Sequence, residues 1–319
     1  MKKSTKIIMG IIAGLFFTGL VLLLVGAMAG GSSQAMEIIK NDAQIETSVG
    51  SWFIRLVTDR ESDRDHNETD DYVETAGTEL SGCLTEITSG DKVASLDLSM
   101  GAGEFVIRES ADDKVYLADG NGLSVTTALK GDTLHLKAKP KTKRFFWGVN
   151  TIEEGKLTIY LPGKVYEEVR IEIGAGQLCL EDALSADEVT LSLGAGEITG
   201  MQICTEKLHA EVSAGSLALA GIEAKEAEIE VSAGECAIDS AAFTELSVDV
   251  AMGSAEIRVA GKEEETSYDA SCSMGEVTIG ESSYMHKDSD KKYDAQGEKK
   301  RHIDAECGMG EIMISFLEQ

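Results

Sequence analysis

The chain has 319 residues, 43% of them hydrophobic, yet only 5% aromatic residues and two prolines, so a core of real size must be built from Val, Ile, Leu, Ala and Met at many equivalent positions. A formal net charge of −27 repels nucleic-acid phosphates, which excludes a DNA- or RNA-binding role and favours cations or basic partners. The six cysteines form no C-x-x-C pair, which excludes a zinc ribbon or a thioredoxin-like motif.

Residues 1–6 carry Lys2, Lys3 and Lys6, and an uncharged run from Ile7 to Ala29 follows. That run exceeds the roughly 7–15 apolar residues of a signal-peptide core. It predicts a transmembrane helix over 7–29, retained as an anchor although Ala27-Met28-Ala29 fits a cleavage pattern. Lysines before the run and none close behind it orient the N-terminus toward the cytoplasm, leaving the bulk of the chain extracytoplasmic. Residues 30–90 open with Gly-Gly-Ser-Ser and pass into "DRESDRDHNETDDY", which reads as a flexible stalk. Asp63, Asp65, Asn67, Thr69, Asp71 and Glu74 match calcium-loop spacing, but Glu68 stands where the loop needs glycine, so no metal site is assigned.

Over residues 91–168, "KVYLAD", "LSVTTALKG", "TLHLKAK" and "KLTIYLP" alternate like hairpin strands, with Asp119-Gly120-Asn121-Gly122 as turn residues, predicting an antiparallel β entry region. Lys137, Lys139, Lys141 and Lys143 fit the outer face of one strand. Beside them Phe145, Phe146 and Trp147 are candidates for contact with lipid headgroups or a partner.

Residues 169–319 repeat one phrase, exemplified by "LSLGAGEITG". Its glycines are Gly176, Gly196, Gly215, Gly234, Gly253, Gly275 and Gly310, with an earlier copy at Gly103, and from Gly176 to Gly253 the spacings are 20, 19, 19 and 19. Apolar residues recur seven, five and three positions before each glycine and two and four after it, the signature of strands with one buried face. The phase shift across the glycine marks a corner, where a residue without Cβ is needed. A third strand is expected at Leu184 and Ala186, Ile203 and Thr205, Ile222 and Ala224, Ala241 and Phe243. The fold class is therefore all-β, a parallel β-solenoid of about 19–20 residues per turn preceded by antiparallel strands and one N-terminal transmembrane helix. A dinucleotide loop is excluded: Gly194-Ala195-Gly196 leads into another strand rather than a helix, and Gly200 is one residue late. The polar run "ESSYMHKDSDKKYDAQGEKKR" fills the longer gap before Gly310 as a projecting loop.

No H-E-x-x-H or G-x-S-x-G occurs, and carboxylate pairs in so acidic a chain identify no glycosidase dyad, so the chain is read as a non-enzyme without cofactor. Cys272 and Cys307 share one inward position of the repeat, as a stacked disulfide or as two small buried side chains. Outward positions six and four before each glycine run from Arg170 and Glu172 to Asp304 and Glu306. Of these, Glu211, Glu228, Glu230 and Asp249 are candidates for collecting divalent cations or docking a basic envelope protein through weak, salt-sensitive contacts.

The run "KLTIYLPGKVYEEVRIEIGAGQLCLEDALSADEVTLSLGAGEI" resembles the bacterial putative-adhesin β-strand-repeat family, domain-of-unknown-function family 4097, over about Leu96 to Ile314. The resemblance implies a β-solenoid-like envelope protein whose repeat grammar includes no catalytic signature. The expected role is a non-catalytic, membrane-anchored interaction or scaffold protein serving adhesion or envelope-stress sensing. Two competitors remain: a structural polymer self-associating end to end, suggested by the short sequence after Gly310, and a wall-polysaccharide enzyme.

Overall fold

Alternate side chains of every repeat phrase are buried, as a pleated strand with one apolar face requires. The computed structural model describes residues 84–144, 150–152, 155–285, 291–293 and 300–317. Outside them lie the apolar run 7–29, residues 30–83 of the expected stalk 30–90, and Phe145, Phe146 and Trp147. Among the described residues no helix is long and apolar enough to cross a membrane. The strands are β1 (Thr85–Ser89), β2 (Ser95–Glu109), β3 (Lys114–Ala118), β4 (Leu123–Lys130), β5 (Thr133–Pro140), β6 (Thr142–Arg144), β7 (Asn150–Ile152), β8 (Lys156–Leu161), β9 (Val165–Leu180), β10 (Leu184–Glu223), β11 (Glu226–Ala242), β12 (Glu245–Ala260), β13 (Thr266–Cys272), β14 (Glu276–Ile279), β15 (Ser282–Met285), β16 (Lys291–Tyr293) and β17 (Arg301–Leu317). All but β6 and β7 join one open, mixed, 15-stranded sheet.

The repeat becomes a stack of rungs. Strand β9 pairs in parallel with β10, β10 with β11, and β11 with β12, each repeat glycine opposite the next: Gly196 with Gly176, Gly234 with Gly215, Gly253 with Gly234. The strands run straight through their corners. β10 passes two of them, at Gly196 and Gly215, which is why it extends over 40 residues. Leu184, Ala186, Ile203, Ile222, Ala224, Ala241 and Phe243 of the expected third strand are buried. Thr205 is instead half-buried, with its hydroxyl within donating distance of the carbonyls of Asp187 (3.0 Å) and Lys207 (2.9 Å).

Crowding explains the corner glycine. At Gly215 φ is +140°, and a Cβ placed there would overlap the carbonyl oxygen of Gly196 on the neighbouring rung. The backbones touch at the corner, so no side chain fits between them.

Chain order and spatial order part company at both ends. Strand β12 pairs not with β13, which follows it, but with β17: Gly253 faces Gly310 and Val250 faces Cys307. Strand β13 pairs with the other side of β17. The stack therefore runs Gly253, Gly310, Gly275, and the C-terminal strand is an inner rung. The outermost rung, β13 with β14, is covered by β16 and β15, both antiparallel. This corrects the expectation that little sequence is left to cap the final turn: the chain caps the turn before Gly310 is reached. At the other end the region 91–168 contains both pairing senses. β3–β8 and β4–β5 are antiparallel, as is the pairing of β3 with β1 from within the expected stalk, while β5 and β8 pair in parallel with the two legs of β2 and together form a rung beyond it. Strand β2 in turn lies parallel to β9 with Gly103 opposite Gly176, so the first repeat phrase joins the same stack.

Lys164 fastens this end. Its ammonium donates to the carbonyls of Gly90 (2.6 Å) and Val93 and lies 5.0 Å over the Tyr166 ring. The Tyr166 hydroxyl donates to the Pro162 carbonyl at 3.1 Å, and burial raises its pKa.

The core is one continuous apolar column set from Val93 to Ile314. Within it the Cys236 thiol is 2% exposed, and loss of solvation pushes its pKa from 9.0 up to about 12. The unfolded chain releases this proton from about pH 9 while the folded chain keeps it. This part of the stability is complete below that pH and falls as pH rises toward the folded value. Ala255 occupies the facing position of β12, so Cys236→Ala fits the column. The substitution is expected to remove a fall of about 1.4 kcal/mol per pH unit. Urea unfolding between about pH 8 and 11 checks this, and identical slopes in both proteins would contradict it.

Candidate interaction surface

Because inward residues alternate with outward ones, the positions eight, six and four before each glycine project from one face of the stacked rungs. Parallel register turns each position into a column with neighbours roughly 4.8 Å apart. In the column six before the glycine, Glu228 stands between His209 and Ser247, and Ser247 faces Asp304. His209 Nδ1 lies 3.0 Å from Glu228 Oε2, and farther along the same column His135 Nδ1 lies 2.7 Å from Asp97 Oδ2. Although Asp304 faces Asp269 at its end, this column interleaves its acids with histidine and serine from His209 to Asp304.

The column four before the glycine does not. Glu211 faces Glu230, Glu230 faces Asp249, and Asp249 faces Glu306, four carboxylates on four consecutive rungs. Glu211 is half-buried, and Glu230, Asp249 and Glu306 are exposed. Among the described residues none of the four has a side-chain ion pair. Beyond Glu306 the column ends in Ser271, and before Glu211 it passes through Ser192 to Glu172. The expected residues Glu211, Glu228, Glu230 and Asp249 thus meet on adjacent rungs. Glu306 belongs with them, which the sequence order concealed by setting Ser271 after Asp249.

An open concavity of about 490 Å³ lies over the columns six and eight before the glycine, between Lys207, His209, Glu226, Glu228, Glu245 and Asp304. Lys207 Nζ stands 3.6 Å from Glu226 Oε2 there. Among the described residues no group of three or more His, Cys, Asp or Glu is arranged to hold a metal ion. Ser267 Oγ and His302 Nδ1 are 3.0 Å apart, and His302 faces Glu245 across the rung. Ser267, eight before Gly275, is 4% exposed, and its hydroxyl also donates to the Arg301 carbonyl at 3.3 Å. Strands β6 and β7, paired antiparallel through Arg144 and Asn150, flank residues 145–149, whose aromatics lie outside the described residues.

A second patch is apolar. In the position before the glycine, Ala175, Ala195, Ala214 and Ala233 give way to Met252, Met309 and Met274 on the last three rungs, with Met309 46% and Met274 64% exposed.

No curated protein matches the sequence. Solved structures similar to the chain include a "putative cell adhesion protein" from Clostridium sporogenes, at 14% identity over 77% of this chain and 100% of that one, TM-score 0.32. Two more are a "putative adhesin" from Bacteroides fragilis (15% identity, 75% and 100% covered, TM-score 0.39) and a "putative lipid binding protein" from Parabacteroides distasonis (15%, 74% and 96%, TM-score 0.36). The model of the Toastrack DUF4097 family matches residues 93–296, from the first buried valine of the stack to the segment before β17. With more than half of its length matched, the chain belongs to the Toastrack DUF4097 family.

Proposed function

We propose that this chain is a non-catalytic interaction module of the bacterial cell envelope, held at the outer face of the cytoplasmic membrane by the apolar run 7–29, and that its acidic rung face docks a basic partner. The observation that supports this most is the column Glu211, Glu230, Asp249, Glu306. Like charges directly opposed across strands cost roughly 0.2–1 kcal/mol per pair. Three such pairs follow one another here, whereas the column beside them is relieved by His209 and Ser247 and holds one such pair, Asp304 with Asp269. A positively charged partner offsets that repulsion and gains a periodic row of contacts, each weak and screened by salt.

Replacing the column (Glu211→Gln, Glu230→Gln, Asp249→Asn, Glu306→Gln) tests the reading. Capture of a basic partner by the intact protein from its own membranes is expected to drop about tenfold at low salt and to lose most of its salt dependence. The variant should melt no lower than the parent, because the change removes repulsion and no packing. Undiminished capture by a folded variant would place binding elsewhere.

A further inference from the structure

The sequence puts cysteine at the position three before the glycine in two phrases only, and the topology brings those two together. Strands β13 and β17 are parallel and in register from Thr266–Arg301 to Cys272–Cys307, so the two cysteines face each other directly on the two outermost rungs. Their side chains point into the core, 5% and 4% exposed. Facing residues of neighbouring strands have Cα atoms roughly 4.8 Å apart, inside the 4.4–6.8 Å span of disulfides. The Gly275 amide donates to Cys272 Sγ at 3.2 Å. No other two described cysteines are matched in this way. Cys236 faces Leu217 and Ala255, and Cys179 faces Val106 and Thr199.

We propose that Cys272 and Cys307 are a disulfide-forming pair that fastens the C-terminal strand β17 to the outermost rung whenever an organic disulfide is present as oxidant. One thiolate attacks a sulfur of oxidised glutathione, forms the mixed disulfide and expels one glutathione thiolate. The facing cysteine, giving up its proton, attacks the protein sulfur and expels the second. Two protein thiols become one disulfide, and both electrons and both protons end on the two released glutathione molecules. The bond closes the segment 273–306, which contains β14, β15 and β16, and so ties the outermost rung to the inner rung β17. Burial and the neighbouring Cys272 raise the Cys307 pKa, so closure is faster as pH rises. This inference rests on the β13–β17 register alone and holds wherever the protein resides.

The test uses the purified full chain, refolded from denaturant in reduced and oxidised glutathione, with thiols counted after denaturation. The chain has six cysteines, and the proposal expects two fewer free thiols and a peptide joining Cys272 to Cys307. Cys272→Val and Cys307→Val should each abolish that loss. Valine stands at the equivalent sites of β11 and β12, as Val231 and Val250, so both variants are expected to fold. Oxidation should raise Tm by roughly 5–10 °C, reversibly on adding dithiothreitol. Six free thiols after refolding, a bridge between other cysteines, or a glutathione adduct that does not resolve would each overturn the proposal.

Discussion

A chain ending at residue 299 is expected to lose cooperative folding. Strand β17 is hydrogen-bonded on both sides, to β12 and to β13, so its removal leaves a gap inside the stack rather than a shorter end. It takes with it Ile303, Ile312 and Ile314, each at most 1% exposed. At about 1.5–3 kcal/mol per buried isoleucine these alone amount to roughly 5–9 kcal/mol. The whole stability of a domain is typically about 5–15 kcal/mol. Thermal unfolding followed by circular dichroism should show no sharp transition in the truncated chain. If rungs stacked in chain order, removing this strand would cost only an end turn. Cooperative melting within a few degrees of the parent would therefore contradict the inner placement of β17.

Gly215→Ala is the second change expected to be severe. The methyl group would meet the Gly196 carbonyl on the next rung, and the residue would have to keep φ at +140°. Strain at such a φ costs about 1–3 kcal/mol and forced overpacking about 1–3 more. A loss of roughly 3–5 kcal/mol should appear as a large fall in the urea midpoint at unchanged slope. Two other glycines separate the causes. Gly131→Ala meets nothing within 4 Å but keeps φ at +62°, so it isolates the conformational cost. A Cβ on Gly221 would come no nearer than 3.5 Å to the Ser240 carbonyl, at an unrestricted φ, and Gly221→Ala should change stability by less than about 0.5 kcal/mol. Equal effects at Gly215 and Gly221 would show that corner crowding is not what selects glycine.

What the sequence reveals and conceals has one physical origin. A repeat states that Leu191, Ile229 and Val248 play the same part, because each is a buried alternate residue at the same distance from a corner, and the structure buries all three. The corner glycines and their stacking follow in the same way. Equivalence of rungs, however, carries no information about their order. Val250, Cys307 and Cys272 fit the inward column in any arrangement, so the insertion of β17 between β12 and β13 leaves no mark on hydrophobic periodicity. The nearest signal was the 35-residue interval from Gly275 to Gly310, long enough for the chain to cap one rung and return behind it. The candidate surface inherits the same blindness. Glu211, Glu230 and Asp249 were legible as one column, while Glu306 joins them only once β17 is placed. The entry region misled for another reason. Alternation in "LSVTTALKG" and "TLHLKAK" points to the β4–β5 hairpin, but it says nothing about the parallel pairing of β5 and β8 with β2.

The central claim is that the acidic rung face meets a basic partner outside the membrane. Intact cells treated with a membrane-impermeant amine cross-linker test it directly, since Lys207 and Lys225 lie exposed near the acidic columns. The account predicts that lysines of the rung domain react in unbroken cells and join the protein to a partner of net positive charge. It also predicts that the cross-link disappears in the variant with Glu211, Glu230, Asp249 and Glu306 neutralised. Lysines that react only after the cells are lysed, or a cross-link that the neutralised variant retains, would contradict it.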